Sequence, residues 1–327
     1  MKRKLGSSDI SVTPITMGAW AIGGFMWGGN EEKDSIAAIQ AYIDNGVTSI
    51  DTAPIYGFGY SEELVGKAIK NYDRSKIEIL TKFGMVWDIE KGDFAFEGKN
   101  NNGELKKIYR YGGYDRTISD VELSLKRLQT DYIDLIQLHW PDTTTPIDET
   151  MRAMEKLLQD GKVRAVGVCN YNAAQLKEAE KTVKLASNQV PYSMLKRDIE
   201  AEVVPYALKN DLSIIAYSPM ERGLLTGKYE NMSALAADDH RNNYFKKFDF
   251  AAVKTLTDHL ADLSTKYNAT IAQLVLAWTY HQPSVATALA GARNAQQATE
   301  NSRALHIKIS AEDLNLIDGW LNNKFLL

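Results

Sequence analysis

The chain has 327 residues, 44% of them hydrophobic and 24% charged, with a formal net charge of −4. That balance suits a globular protein with a large core and gives nucleic acid or another polyanion no electrostatic reason to bind. It contains no apolar run long enough to span a membrane, and the basic start "MKRKLGSSDISV" leads into a turn rather than the apolar segment of a secretory signal.

One cysteine, Cys169, rules out an internal disulfide framework, and the five histidines fall in no metal-ligand spacing. A cytoplasmic, metal-free protein is the expectation. The length fits one large α/β barrel as a single domain over residues 1–327.

In chain order, "KRKLGSSDISV" reads as a small hairpin. Short apolar, β-branched runs then recur near Ile15 and at 47–50, 77–81, 132–138, 163–168, 186–190, 212–217 and 285–290. Between them lie amphipathic helical patterns such as "SIAAIQAYIDNG", "DVELSLKRLQ", "ETMRAMEKLLQDG" and "AAQLKEAEK", with Gly46 and Gly161 at helix-terminating positions. Eight strand–helix alternations suggest parallel strands closing a (β/α)₈ TIM barrel, with an open doubly wound sheet as the competing architecture. "SAEDLNLIDGWLNN" reads as an extra helix at the end. Two connections, Phe83 to about Tyr114 and Met220 to about Phe250, exceed a simple crossover, and loops of that size are usually functional or disordered.

The turn Gly57-Phe58-Gly59-Tyr60-Ser61-Glu62 nearly completes the dinucleotide fingerprint G-x-G-x-x-G. Its third glycine is Glu62, followed by Glu63, so the helix end that would receive a pyrophosphate carries negative charge. Ser61 reads instead as the helix N-cap.

In a barrel, residues at the carboxyl ends of the strands converge on one mouth. Asp51, Lys82 and His139 each follow an apolar run, and Tyr56 lies in the loop after Asp51. Singly, an aspartate after a strand is more often a turn former and a loop tyrosine is more often packing. Together they make a proton-transfer device. Lys82 lowers the pKa of the Tyr56 phenol, Asp51 keeps Lys82 charged, and His139 orients a carbonyl oxygen toward the tyrosine.

With these residues in place, the chain resembles the aldo-keto reductases, closest to their bacterial general-stress and inositol-operon type. "DTAPIYGFGYSEELVGKAI", "ILTKFG" and "DLIQLHWPD" match the catalytic segments; "GVCNY", "NQVPYS", "AYSPMERGLLTGK" and "GARNAQQATEN" match the cofactor segments in order. Cys169 stands where many members have serine or threonine.

The resemblance implies reduction of a small aldehyde or ketone by NADPH, with Tyr56 as general acid assisted by Lys82, Asp51 and His139. It implies a cofactor lying across the mouth beside Trp20 and Gly291, with Asn170 and Gln189 on its carboxamide and Tyr217 stacked on the nicotinamide. Ser218, Pro219, Met220, Arg222 and Lys228 would wrap the pyrophosphate, Arg241 and Arg293 would meet a 2′-phosphate, and Gln297 and Asn301 would hold adenine. Trp27, Trp87 and Trp140, with Gly18 and Trp20, are candidates for a substrate wall, core or loop packing being the equal alternative for each. Two other functions remain open: a Schiff-base lyase using Lys82, and a cofactor-sensing regulatory subunit. Neither the physiological substrate nor the oligomeric state is readable.

Overall fold

Strands buried on both faces read as continuous apolar runs because they face a barrel lumen on one side and helices on the other. The computed structural model describes residues 2–24, 30–229, 241–321 and 325. The strands are β1 (Arg3–Lys4), β2 (Ser11–Val12), β3 (Ile15–Gly18), β4 (Ser49–Asp51), β5 (Glu78–Phe83), β6 (Met85–Val86), β7 (Asp93–Lys99), β8 (Leu105–Arg110), β9 (Ile133–Leu138), β10 (Val163–Cys169), β11 (Ser187–Pro191), β12 (Ser213–Tyr217) and β13 (Val285–Ala290). The α-helices are α1 (Glu32–Asp44), α2 (Tyr60–Ile69), α3 (Tyr114–Leu128), α4 (Ile147–Gln159), α5 (Ala173–Ala179), α6 (Val203–Lys209), α7 (Arg241–Phe245), α8 (Phe250–Lys266), α9 (Ile271–His281), α10 (Ala295–Ser302) and α11 (Ala311–Trp320).

β3, β4, β5, β9, β10, β11, β12 and β13 close into a parallel barrel in chain order, the eight runs expected from the sequence. Every residue of β5 and β9 is buried. The hairpin β1–β2 closes the floor: Leu5, Ile10 and Val12 pack on Leu80, Leu135, Ala165, Ala186, Ile215 and Ala286. Buried polar side chains lie at this end too, Ser213 accepting from the Gly6 N–H at 2.8 Å and Ser49 donating to Glu78 at 2.9 Å.

Three expectations are corrected. Ser61 is not the N-cap of α2. Gly59 is, at φ +100°, and Ser61 is buried one residue into the helix, sharing a hydrogen bond with Thr52 Oγ1 at 2.8 Å and donating to Ala19 O at 3.1 Å. The connection from Phe83 to Tyr114 is not an irregular loop, because it folds into a three-stranded antiparallel sheet, β6–β8–β7, separate from the barrel. Its strands carry no clean apolar alternation, with Phe94 and Leu105 exposed and a register irregularity between Phe94 and Phe96. Lys82 lies inside β5 and Asp51 is the last residue of β4, rather than each following its strand. Of the second long connection, residues 230–240 lie outside the described residues, while 241–245 form α7.

Candidate active site

Parallel register puts the mouth residues at one level. Lys82 pairs across the ladder with Gln137, Gly18 with Asp51, and Cys169 with Gln189. Lys82 is completely buried, and its ammonium donates to Asp51 Oδ1 at 2.6 Å, to Thr52 O at 3.0 Å and to the Tyr56 hydroxyl at 3.4 Å. The His139 ring meets the Tyr56 ring edge-on, with centroids 5.8 Å apart. Thus the four residues read from the strand ends are one cluster.

The electrostatics correct part of the sequence expectation. Burial is the largest single influence and opposes charge on Lys82, but Asp51, first among the surrounding groups, together with Tyr56 and Cys169 holds the ammonium above its ordinary pKa. Lys82 does pull the Tyr56 phenol down; burial pulls harder the other way, so the phenol is pushed up to about 12, not lowered. Burial, then the Lys82 charge, keeps His139 well below its ordinary value, so its imidazole is neutral. Its Nδ1 is buried without a hydrogen-bond partner. Burial also pushes the Cys169 thiol up, which removes it as a thiolate nucleophile.

Gln137 is a site residue that the sequence reading missed. Its amide donates to Asp51 Oδ2 at 3.4 Å, and the Gln189 amide donates to the same oxygen at 2.8 Å and to Gln137 Oε1 at 3.3 Å. The signal was an amide two residues before His139 near the carboxyl end of β9, hence on the same face.

Around this centre, Asn170 adopts a left-handed backbone, donates to His139 O at 3.3 Å and accepts from the Tyr217 hydroxyl at 3.0 Å. Trp20 lies with its ring 6.4 Å from Tyr56 and 5.7 Å from the Arg222 guanidinium. Ser218 is also left-handed, Pro219 is buried, Met220 is half-buried and Lys228 is exposed.

At the far end, Asn30 donates to Arg293 O at 2.9 Å, and the Arg293 backbone N–H donates to Gln297 at 2.9 Å. Asn301 donates to the Tyr42 hydroxyl at 2.9 Å and to Gly291 O at 3.1 Å. Arg241 donates to the Tyr229 hydroxyl at 2.6 Å. Trp87 and Trp140 join Tyr56, Phe58 and Phe96 in one apolar cluster; Trp27 lies outside the described residues.

A cleft of about 1100 Å³ opens between Trp20, Asn30, Tyr60, Arg222 and the Phe96–Asn101 stretch. Arg222 fits a diphosphate in it: its Nε is buried with no hydrogen-bond partner, and among the described residues no carboxylate forms an ion pair with it. No group of three or more metal-ligating side chains is placed to hold an ion among the described residues, and no described helix is long and apolar enough to cross a membrane.

Comparison with known proteins matches residues 14–322 to the model of the "Aldo/keto reductase family". The chain is 40% identical to aldo-keto reductase YhdN of Bacillus subtilis, over 98% of this chain and 93% of that one. It is 34% identical to the NADH-specific methylglyoxal reductase of Escherichia coli, over 97% of both. Among solved structures, the glycerol dehydrogenase AKR11B4 of Gluconobacter oxydans superposes with a TM-score of 0.86 at 36% identity, covering 98% of this chain and 94% of that one. An aldo/keto reductase of Klebsiella pneumoniae in complex with NADP and acetate gives a TM-score of 0.72 at 28% identity, covering 98% and 95%.

Proposed function

The chain belongs to the aldo/keto reductase family, and on that premise we propose that it reduces a small aldehyde or ketone with NADPH, Tyr56 donating the proton. Carbonyl reduction with a nicotinamide dinucleotide is the chemistry of that family. The single observation that carries the assignment of Tyr56 is the Lys82 ammonium, which reaches Asp51 Oδ1 at 2.6 Å and the Tyr56 hydroxyl at 3.4 Å.

The dinucleotide, when bound, supplies a hydride from C4 of its nicotinamide. The chain's own residues do the rest. The His139 ring N–H and the Tyr56 O–H are the donors for the carbonyl oxygen, and their pull grows as that oxygen gains charge. A phenol held near 12 keeps its proton at neutral pH, yet remains a stronger acid than the alcohol being formed, so the transfer runs toward product. The Lys82 charge stabilises the phenolate left behind, and Asp51 offsets the cost of keeping that charge buried. Asn170, Tyr217 and Gln189 would hold and orient the nicotinamide, Trp20, Ser218, Pro219, Met220, Arg222 and Lys228 the diphosphate, and Gly291, Arg241, Arg293, Gln297 and Asn301 the adenosine end.

A Schiff-base lyase would need a neutral amine at Lys82, and the ion pair with Asp51 holds it charged. NADPH oxidation should be measured with methylglyoxal, glyceraldehyde and 4-nitrobenzaldehyde as carbonyl donors. The expected result is turnover with at least one of them. Tight NADPH binding without turnover on any carbonyl tested would replace this reading with a cofactor-sensing subunit.

A further inference from the structure

Glu221, Arg222 and Gly223 turn through three successive left-handed residues, at φ +47°, +56° and +97°. Two of them are not glycine, so the surroundings must hold the turn. Glu221 does so from inside. Its carboxylate is 1% exposed, and both oxygens are engaged, one by the Ser193 hydroxyl and the other by the Tyr244 hydroxyl. Tyr244 sits on α7, beside Phe245 and Phe248, both buried, with ring centroids 6.3 and 5.6 Å away.

The face of the same tyrosine lies 4.0 Å from the Arg222 guanidinium. One side chain therefore touches both members of an adjacent acid–base pair and keeps them apart. A buried carboxylate next in sequence is the natural counter-ion for Arg222, yet it is committed to two hydroxyls instead. Arg222 is left half-buried with Nε unpartnered.

Resting on the reading that a dinucleotide lies across the mouth, we infer that Tyr244 and Glu221 are positioning residues that keep Arg222 as an open receptor for the cofactor's pyrophosphate. The Tyr244 hydroxyl occupies the carboxylate oxygen that would otherwise compete with phosphate, and its ring fixes the guanidinium plane through a cation–π contact. Ser193 secures the other oxygen.

Fluorescence titration of NADPH and NADH tests this without relying on turnover. Tyr244→Phe keeps the ring but frees the Glu221 oxygen for Arg222, and should raise the Kd of both cofactors by roughly five- to tenfold, the scale of one charge-assisted contact. Both should weaken alike, because both carry the pyrophosphate. Adding Glu221→Gln removes the competing charge and should restore the Kd to within about twofold. In an Arg222→Ala background, Tyr244→Phe should cause no further loss, and this arm stands even if the glutamine variant folds poorly.

An unchanged Kd in Tyr244→Phe, a loss that glutamine does not rescue, or an equal additional loss without Arg222 would each overturn the inference. If the wild type binds both cofactors but reduces no carbonyl, the reductase reading fails while this one is still decided by the same titrations.

Discussion

Gln189 donates its side-chain amide to Asp51 Oδ2 at 2.8 Å, while Lys82 takes Oδ1 at 2.6 Å. The buried carboxylate is thus satisfied from both sides, with Gln137 a longer third donor at 3.4 Å. A hydrogen bond to a charged group contributes about 1.5–3 kcal/mol. Gln189→Leu should therefore lower the free energy of unfolding by about that much, and Gln137→Leu by less, as judged by urea denaturation. The reverse ranking would show that the 3.4 Å contact governs.

Tyr56→Phe should reduce kcat by about 10² or more while leaving the Kd for cofactor nearly unchanged, the usual scale for losing a general acid. Stopped-flow turnover and fluorescence titration separate the two quantities. Near-normal turnover would remove Tyr56 from the chemistry.

The pH profile carries its own sign. The Tyr56 phenol, raised to about 12 by burial, stays protonated through neutral pH, and the His139 imidazole, lowered by burial and Lys82, stays neutral. The rate of carbonyl reduction should be flat from about pH 6 to 9, whereas alcohol oxidation, which needs the phenolate, should rise with pH. An inflection in the reduction profile near the ordinary histidine value would mean that His139 titrates in the working enzyme.

Lys82→Met should destabilise the fold as well as slow the reaction, because it leaves Asp51 buried without its counter-ion. Breaking a buried pair in this way costs about 3–5 kcal/mol. The double variant Lys82→Met/Asp51→Asn should recover much of the melting temperature and none of the kcat. Recovery of activity in the double variant would refute the electrostatic role of Lys82.

Arg293→Ala should raise the Kd for NADPH by about tenfold, corresponding to roughly 1.4 kcal/mol, with little change for NADH, because only the former carries a 2′-phosphate for the guanidinium fork. Equal weakening of both cofactors would move Arg293 to the shared part of the dinucleotide. A wild-type preference for NADH would remove the 2′-phosphate assignment, a pertinent outcome given that the Escherichia coli relative is NADH-specific by name.

The staves of the barrel are legible in sequence because burial on both faces forces predominantly apolar runs, as in β9 and β13, whose polar residues are Asp134, Gln137 and Thr287. Asp51, Lys82 and His139 are legible because an ionisable side chain at or near the end of such a run needs a reason. Three kinds of feature escape. Gln137 hides inside a strand, since its partners come from β4 and β11, far away in sequence. The net shift of Tyr56 depends on how deeply it is buried, which spacing does not encode. The strands of the 85–110 insertion escape because their faces are half exposed, with Phe94 and Leu105 turned outward, so the apolar alternation is broken.

That insertion, β6–β8–β7, shares no ladder with the barrel. Its described polar ties to the rest include Asn101 to Gly57 O at 3.1 Å and Asp93 to Thr143, and Met85 and Ile108 pack on Ala53 and Ile55. The wall facing the cleft is therefore joined to the barrel by side-chain packing, Phe96 and Trp87 against the Tyr56–Phe58 loop, rather than by a shared ladder. Its tip can change in length and residue type during divergence without shifting the register of any stave. Exchanging residues 93–110 between relatives is accordingly the direct test of whether this wall sets the choice of carbonyl, separately from the Asp51–Lys82–Tyr56–His139 cluster.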